Sequence, residues 1–258
     1  MKKAAKTLGD HGIGRENLVI STGIGCHGKI FDYLSLSGFY SLHGRSMATV
    51  QGIKLGNPDL RILDFVGDGD ALGEGVAHLL FAAKRNADVT VIIHNNGTYA
   101  LTTGQFSPTS AKGFKGPSTP VGSIEEPFNP LSLMLEAGAT FVARGYAGKI
   151  DHLADLMVKA VEHEGFSIID VLQPSVVFHD TYKEYNERVE LLQSTPANYD
   201  DAVSLAKRID KKILIGVFYQ VSKPVFHKEL YGDWNPVKNR LETSEKRKRV
   251  QQFLEGEQ

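Results

Sequence analysis

The chain has 258 residues, 41% hydrophobic and 23% charged, the composition of an ordinary globular protein of one or two domains. Its net charge of −1 gives no electrostatic case for binding nucleic acid or a membrane, and no apolar run approaches a bilayer span. The single cysteine, Cys26, excludes an intrachain disulfide and a multi-cysteine metal site built by this chain alone.

Lys2, Lys3 and Lys6 are not followed by an apolar stretch, so no signal peptide is expected and a cytoplasmic location follows by default. Residues 2–9 read as a helix closing near Gly9. A strand at 17–21 runs into Gly23-Ile24-Gly25-Cys26-His27-Gly28. The spacing is formally G-x-G-x-x-G. However, no acidic residue ends a second strand about 20 residues later, where a dinucleotide ribose would need one. A glycine loop at a strand end can still line a phosphate pocket through its N–H groups. Leu42-His43-Gly44-Arg45 precedes a helix at 46–55, and Asn57-Pro58-Asp59 turns the chain into the next strand.

That strand, 62–66, is a buried apolar run ending in Gly67-Asp68-Gly69-Asp70. A helix at 74–85 and a strand at 89–93 follow, with Asn95-Asn96 at the end of the latter. Strand, helix and strand form a right-handed βαβ unit. Both polar clusters therefore lie at the carboxyl edge of a parallel sheet, where open α/β sheets bind ligands. An Asp carboxylate and an Asn carboxamide oxygen side by side suit a hard cation such as Mg²⁺, which keeps positions open for water and phosphate oxygens. The glycines allow a diphosphate to approach the backbone. GDG followed by NN one βαβ unit later resembles the thiamine-diphosphate motif. The late acidic motif of haloacid-dehalogenase-type phosphatases is an alternative, but it requires an early Asp-x-Asp. Here the first strand ends in Thr22-Gly23.

Periodicity disappears over 97–128, a stretch rich in Gly, Ser, Thr and Pro, placed to fold over a ligand at Asn95-Asn96. A helix at 130–137, a strand at 140–144, a helix at 150–164 and a buried strand at 167–172 complete the βαβα alternation of a doubly wound, mostly parallel sheet. Further helices are expected at 182–193 and 199–208, with a strand at 214–221 and a solvated basic helical end around 245–249. The expected organisation is an α/β domain at 1–180 with a C-terminal helical extension, 181–258, packed on it.

Taken together, the landmarks resemble the β subunit of a 2-oxoacid:ferredoxin oxidoreductase. They are Gly23-Ile24-Gly25-Cys26, Leu42-His43-Gly44-Arg45, Gly52-Ile53-Lys54-Leu55 and Gly67-Asp68-Gly69-Asp70-Ala71-Leu72. Further on come Asn96-Gly97-Thr98-Tyr99, Leu101-Thr102-Thr103-Gly104-Gln105 with Ser107-Pro108-Thr109, the stretch Ala137 to Arg144, and Gly216-Val217-Phe218-Tyr219. The resemblance implies oxidative decarboxylation of a 2-oxoacid to acyl-coenzyme A, with electrons passed to ferredoxin. It implies thiamine diphosphate held through Mg²⁺, and a site completed by a separate α chain, or by α and γ chains. Carried over, Asp68 and Asn96 supply side-chain oxygens to Mg²⁺ and Thr98 its carbonyl. Ile24, Gly25, Cys26, His27, Gly69, Asp70, Ala100 and Leu101 line the cofactor, with His43 near the diphosphate. The catalytic glutamate of the family lies in the partner chain, so no catalytic residue is assigned here.

Two departures stand out. Ferredoxin-coupled members hold a [4Fe–4S] cluster on this subunit with four cysteines, of which only Cys26 has a counterpart, and Ser175 follows Pro174 where the fourth belongs. The cluster is therefore expected to be absent. Thr103 stands where the family commonly has lysine. The alternatives are a non-redox 2-oxoacid decarboxylase subunit and a cluster-less scaffolding paralogue.

Overall fold

The computed structural model describes residues 1–208 and 211–256. In chain order the elements are α1 (Lys2–Asp10), β1 (Leu18–Thr22), β2 (Ser37–Tyr40), α2 (Ser46–Gly56) and β3 (Arg61–Gly67). Then come α3 (Val76–Lys84), β4 (Thr90–Asn95), β5 (Thr98–Tyr99), β6 (Gln105–Phe106), α4 (Pro130–Glu136) and β7 (Phe141–Tyr146). The rest are α5 (Ile150–Glu162), β8 (Ser167–Leu172), α6 (Tyr182–Arg188), β9 (Val189–Leu191), α7 (Tyr199–Lys207), β10 (Ile213–Gln220), α8 (Phe226–Tyr231) and α9 (Thr243–Leu254).

Eight strands form one sheet in the order β2-β1-β3-β4-β8-β7-β10-β9. The pairs from β2 to β7 are parallel, β10 runs antiparallel to β7, and β9 is parallel to β10. The central strands read as continuous apolar runs because both faces are covered. On one face α2, α3, α4 and α7 bury Val50, Leu79, Met134 and Ala202 against Val66, Val91 and Ile168. On the other, α1 and α5 bury Leu8, Leu156 and Val161 against Phe65, Ile92 and Ile169. Each fully buried leucine or valine stabilises this arrangement by roughly 1.5–3 kcal/mol.

The chain leaves β1 for β2 in one direction, and leaves β3 for β4 in the other. The crevice between the ends of β1 and β3 is therefore the topological switch point, where open α/β sheets bind ligands.

The expected α/β fold is the one observed, with differences in detail. The edge strand β2 was not expected from Ser37-Gly38-Phe39-Tyr40, a short segment containing glycine with all four residues exposed. The helix expected at 74–85 begins as a π-helical turn, Gly69–Glu74, before α3 starts at Val76. The helix expected at 182–193 ends at Arg188, where the chain turns into β9. Residues beyond 181 thus add β9 and β10 to the main sheet as well as helices. The irregular segment 97–128 contains only the β5–β6 hairpin, and its turn holds Thr103 at φ 77°.

One β3 residue breaks the apolar pattern. Asp64 is 0% exposed, and burial pushes its carboxyl up to about 7, against the opposing pull of the Ser46 hydroxyl.

Candidate cofactor site

The glycine loop after β1, the loop before α2, the π-helical turn after β3 and the loop after β4 converge at the switch point. They enclose a cleft of about 540 Å³. Every residue expected at the cofactor lines it: Ile24, Gly25, Cys26, His27, His43, Gly69, Asp70, Ala100 and Leu101, together with Asp68, Asn96 and Thr98. Segments up to about 75 residues apart in sequence meet because parallel βαβ crossovers bring every strand's carboxyl end to one edge.

Asp70 ties these loops together. Its Oδ1 accepts hydrogen bonds from the amides of Gly44 (2.8 Å) and Ile24 (3.3 Å). His43 Nδ1 lies 2.8 Å from the same oxygen, and His27 Nε2 lies 3.5 Å from Oδ2. Gly44 is needed here because it sits at φ 67° and a Cβ would lie 2.5 Å from the backbone of Glu74. At Gly69 a Cβ would lie 2.3 Å from the Tyr99 ring. The Tyr99 hydroxyl donates to the Gly69 carbonyl (3.2 Å), and burial pushes its pKa up to about 12.

Asp68 is 1% exposed. Its Oδ2 accepts from Ser107 Oγ (2.5 Å) and Thr109 Oγ1 (2.6 Å), both from the long loop. Its Oδ1 meets only the Asn96 amide, at 3.5 Å. Burial raises its pKa, opposed by the two hydroxyl donors. Among the described residues no lysine or arginine is recorded in an ion pair with it. A buried carboxylate with one under-satisfied oxygen, facing a cleft, has the donor chemistry a cation requires.

The two asparagines separate in role. Asn95 donates Nδ2–H to Asp170 Oδ1 (2.9 Å), and its Oδ1 lies 2.9 Å from Thr109 Oγ1. Asn96 lines the cleft, and its Oδ1 accepts from the Thr98 amide (3.0 Å). The Thr98 carbonyl accepts from Ala100 N (3.0 Å). His179 braces this turn, with its Nδ1 2.8 Å from the Asn96 carbonyl.

Sequence reasoning missed His94 and Gln173, which line the cleft floor from the ends of β4 and β8 and face each other at 2.6 Å. Burial lowers the His94 pKa to about 4, with the charge of His27 acting in the same direction. No local motif marks either residue; only the parallel pairing of β4 with β8 brings them together. Ser107 and Thr109 were visible as Ser-Pro-Thr but without a role. The side chains at the cleft retain unmet polar atoms: His27 Nε2, His43 Nδ1, Asp70 Oδ2 and His94 Nε2 are buried without hydrogen-bond partners. Such atoms fit a polar ligand lying across them.

The fold and this cleft define the class. Residues 23–171 match the C-terminal thiamine pyrophosphate-binding domain of thiamine pyrophosphate enzymes. Residues 178–232 match the C-terminal region of the pyruvate ferredoxin oxidoreductase β subunit. The β subunit of a 2-oxoacid:ferredoxin oxidoreductase from Sulfolobus sp is 40% identical, over 90% of this chain and 84% of that one. The 2-oxoglutarate oxidoreductase subunit KorB of Mycobacterium tuberculosis is 43% identical, over 67% of this chain and 46% of its own. A 2-oxoglutarate:ferredoxin oxidoreductase from Magnetococcus marinus, solved with 2-oxoglutarate, coenzyme A and succinyl-CoA bound, superposes with a TM-score of 0.85. It is 32% identical and covers 92% of this chain and 84% of that one. The chain belongs to the family of 2-oxoacid:ferredoxin oxidoreductase β subunits, oxidoreductases that work with partner subunits.

A four-cysteine cluster does not fit the residues present. The sequence holds one cysteine, Cys26, and Ser175 is engaged in a short backbone bridge with His179. Among the described residues no group of three or more His, Cys, Asp or Glu side chains is arranged to hold a metal. A site of one carboxylate, one carboxamide and a carbonyl falls outside that pattern. No helix among the described residues is long and apolar enough to cross a membrane.

Proposed function

We propose that the cleft holds the diphosphate end of thiamine diphosphate through Mg²⁺, in a subunit that oxidatively decarboxylates a 2-oxoacid to an acyl-CoA. Asp68 and Asn96 supply side-chain oxygens to the ion and Thr98 its carbonyl. Ile24, Gly25, Cys26, His27, His43, Gly69, Asp70, Ala100 and Leu101 line the cofactor. The observation that carries this reading is Asp68: a buried carboxylate lining the cleft, whose Oδ2 is fixed by two hydroxyls while Oδ1 meets the Asn96 amide only at 3.5 Å. The bound cofactor supplies the nucleophilic carbon and electron sink that decarboxylation of a 2-oxoacid requires. The chain's own part is positioning. Asp70 locks the two glycine-bearing loops, and Ser107 and Thr109 orient Asp68.

The rim of the cleft supports a partner. Leu101, which lines the cleft, is 58% exposed, and Leu42, next to the cleft residue His43, is 74% exposed. An α chain, or α and γ chains, would cover this apolar rim and bring the missing catalytic groups. With one cysteine in the chain, electrons bound for ferredoxin would leave through centres on partner subunits, in the cytoplasm. The same cysteine count favours a second reading, a non-redox 2-oxoacid decarboxylase subunit. Carbon dioxide release with no reduction of added ferredoxin by the complete assembly would select it.

The central test is Asp68→Ala. Calorimetry should show Mg²⁺-dependent thiamine-diphosphate binding abolished, while circular dichroism shows the fold retained. Unchanged affinity would overturn the assignment.

A further inference from the structure

Behind the cleft, on the other side of the π-helical turn, lies a second and much smaller cavity, with room for about one water-sized sphere. It sits between β3, the N-terminus of α2 and the turn that leads into α3. Asp64 projects into it from the middle of β3, its carboxylate fully buried with only the Ser46 and Ser21 hydroxyls to offset that burial. Ser21 is paired with Asp64 across β1 and β3, so the two side chains leave the same face of the sheet. The Ser21 hydroxyl is likewise buried, beside the Asp64 carboxylate. Ser46 lines the cavity from the first turn of α2. Gly75 also lines the cavity, and the Gly44 and Asp70 carbonyl oxygens lie close by, 2.9 and 3.0 Å from where a Cβ on Gly75 would stand.

The remaining wall is apolar, including Val66, Leu79 and Val91, and the lining contains no lysine, arginine or histidine. An ionised carboxylate in such a place is costly and burial favours its protonated form, so a bound cation would take the place of that proton. One Asp70 oxygen already accepts from two backbone amides with His43 2.8 Å away, whereas Asp64 faces the cavity with no cationic side chain in its lining. A single positive charge balances the Asp64 carboxylate. A divalent ion would leave an excess charge against an apolar wall, and the partial positive charge at the α2 N-terminus would add to that excess. Carboxylate, hydroxyl and carbonyl oxygens are the ligands that hard cations take.

We infer that this cavity binds a monovalent cation, held by Asp64, Ser46, Ser21 and the main-chain oxygens of Gly44 and Asp70. The ion would join β3, the loop carrying His43, and the π-helical turn carrying Asp70. It would thus brace the back wall of the cofactor cleft without touching the cofactor. The site stands independently of the thiamine-diphosphate reading, and its test leaves that cofactor and Mg²⁺ out of every arm.

The full chain is unfolded thermally in potassium, sodium or choline chloride at equal ionic strength. Potassium or sodium should raise Tm by about 2–4 °C over choline, the shift expected of a modestly saturated site in a chain of this size. Asp64→Asn, nearly isosteric, should remove the difference. Ser46→Ala, which keeps the carboxylate, should reduce it. Crystals soaked in rubidium chloride should show an anomalous peak beside Asp64. Equal Tm in all three salts, together with a water and no anomalous signal in the cavity, would overturn the proposal.

Discussion

The two ends of the central sheet treat buried polar groups in opposite ways. At the amino ends of the strands the buried ion pair and amide groups find partners within the chain, and among the described residues only single atoms such as Ser167 Oγ and His227 Nδ1 go without. Lys54 Nζ pairs with Asp88 at 2.6 Å and donates to the Leu60 carbonyl at 2.8 Å, and Gly165 N donates to the other Asp88 oxygen at 3.0 Å. Asn86 Oδ1 accepts from Thr140 Oγ1 (2.7 Å) and from the Phe166 amide (2.8 Å), and its Nδ2 reaches the carbonyls of Lys223 and Pro224. At the carboxyl ends, His27, His43, Asp70 and His94 keep buried atoms with no partner. A closed network serves stability, whereas an open one has been left for something to bind. The backbone follows the same division. At the amino end the one non-glycine residue with positive φ is Asn86 (49°), a type that tolerates that region. At the cleft it is the β-branched Thr103 (77°), which does not.

The largest test of this contrast is Asp88→Ala. Removing one partner strands Lys54 in the core, so stability in denaturant titrations should fall by about 3–5 kcal/mol. Thiamine-diphosphate affinity, measured where the variant is folded, should be unchanged. A loss of affinity beyond the unfolded fraction would mean that the two ends are not separable. The same residue gives a pH dependence. Burial alone would raise Asp88, but Lys54 beside it holds its pKa below the usual value. Its contribution is therefore present above the unfolded pKa of about 3.9 and lost as pH falls through the lower folded value. Asp88→Asn should flatten that part of the acid stability curve.

At the other end the expected effect is on binding. Ser107→Ala or Thr109→Val removes one of the two hydroxyls that orient Asp68, and Mg²⁺ affinity should weaken about 10- to 100-fold. Ser107→Thr should restore most of it. A comparable loss of thermal stability in these variants would place the hydroxyls with the closed networks instead. The smallest effect is at Thr103. Replacement by glycine relieves the left-handed backbone, and stability should rise by roughly 1 kcal/mol. A destabilised glycine variant would show that the Thr103 side chain is held by contacts that outweigh the strain.

Much of this arrangement was legible in the sequence. The apolar runs at 62–66 and 167–172 and the glycine punctuation after β1 and β3 state the strands and where they end. GDGD and NN gave the cleft residues because close backbone approach and paired oxygen ligands restrict residue type within a few positions. The C-terminal part was less legible. The strand at 214–221 was expected, but its antiparallel place beside β7 was not, and residues 189–191 become sheet only because β10 offers its free edge to β9. A strand whose partner lies some 70 residues earlier carries no local record of that partner.

The sequence by itself determined the fold class, through periodicity, the family, through its ordered landmarks, and the short segments that line the cleft. The tertiary structure alone decided which polar residues became sites. His94 and Gln173 meet only through strand register, and Asn95 and Asn96 part only because alternate positions at a strand end face opposite ways. Asp64 reads as one acid in an apolar run and becomes a cavity wall only when α2 and the π-helical turn close over it. Burial and unmet hydrogen bonds are properties of packing, and packing is written in no single segment of the chain.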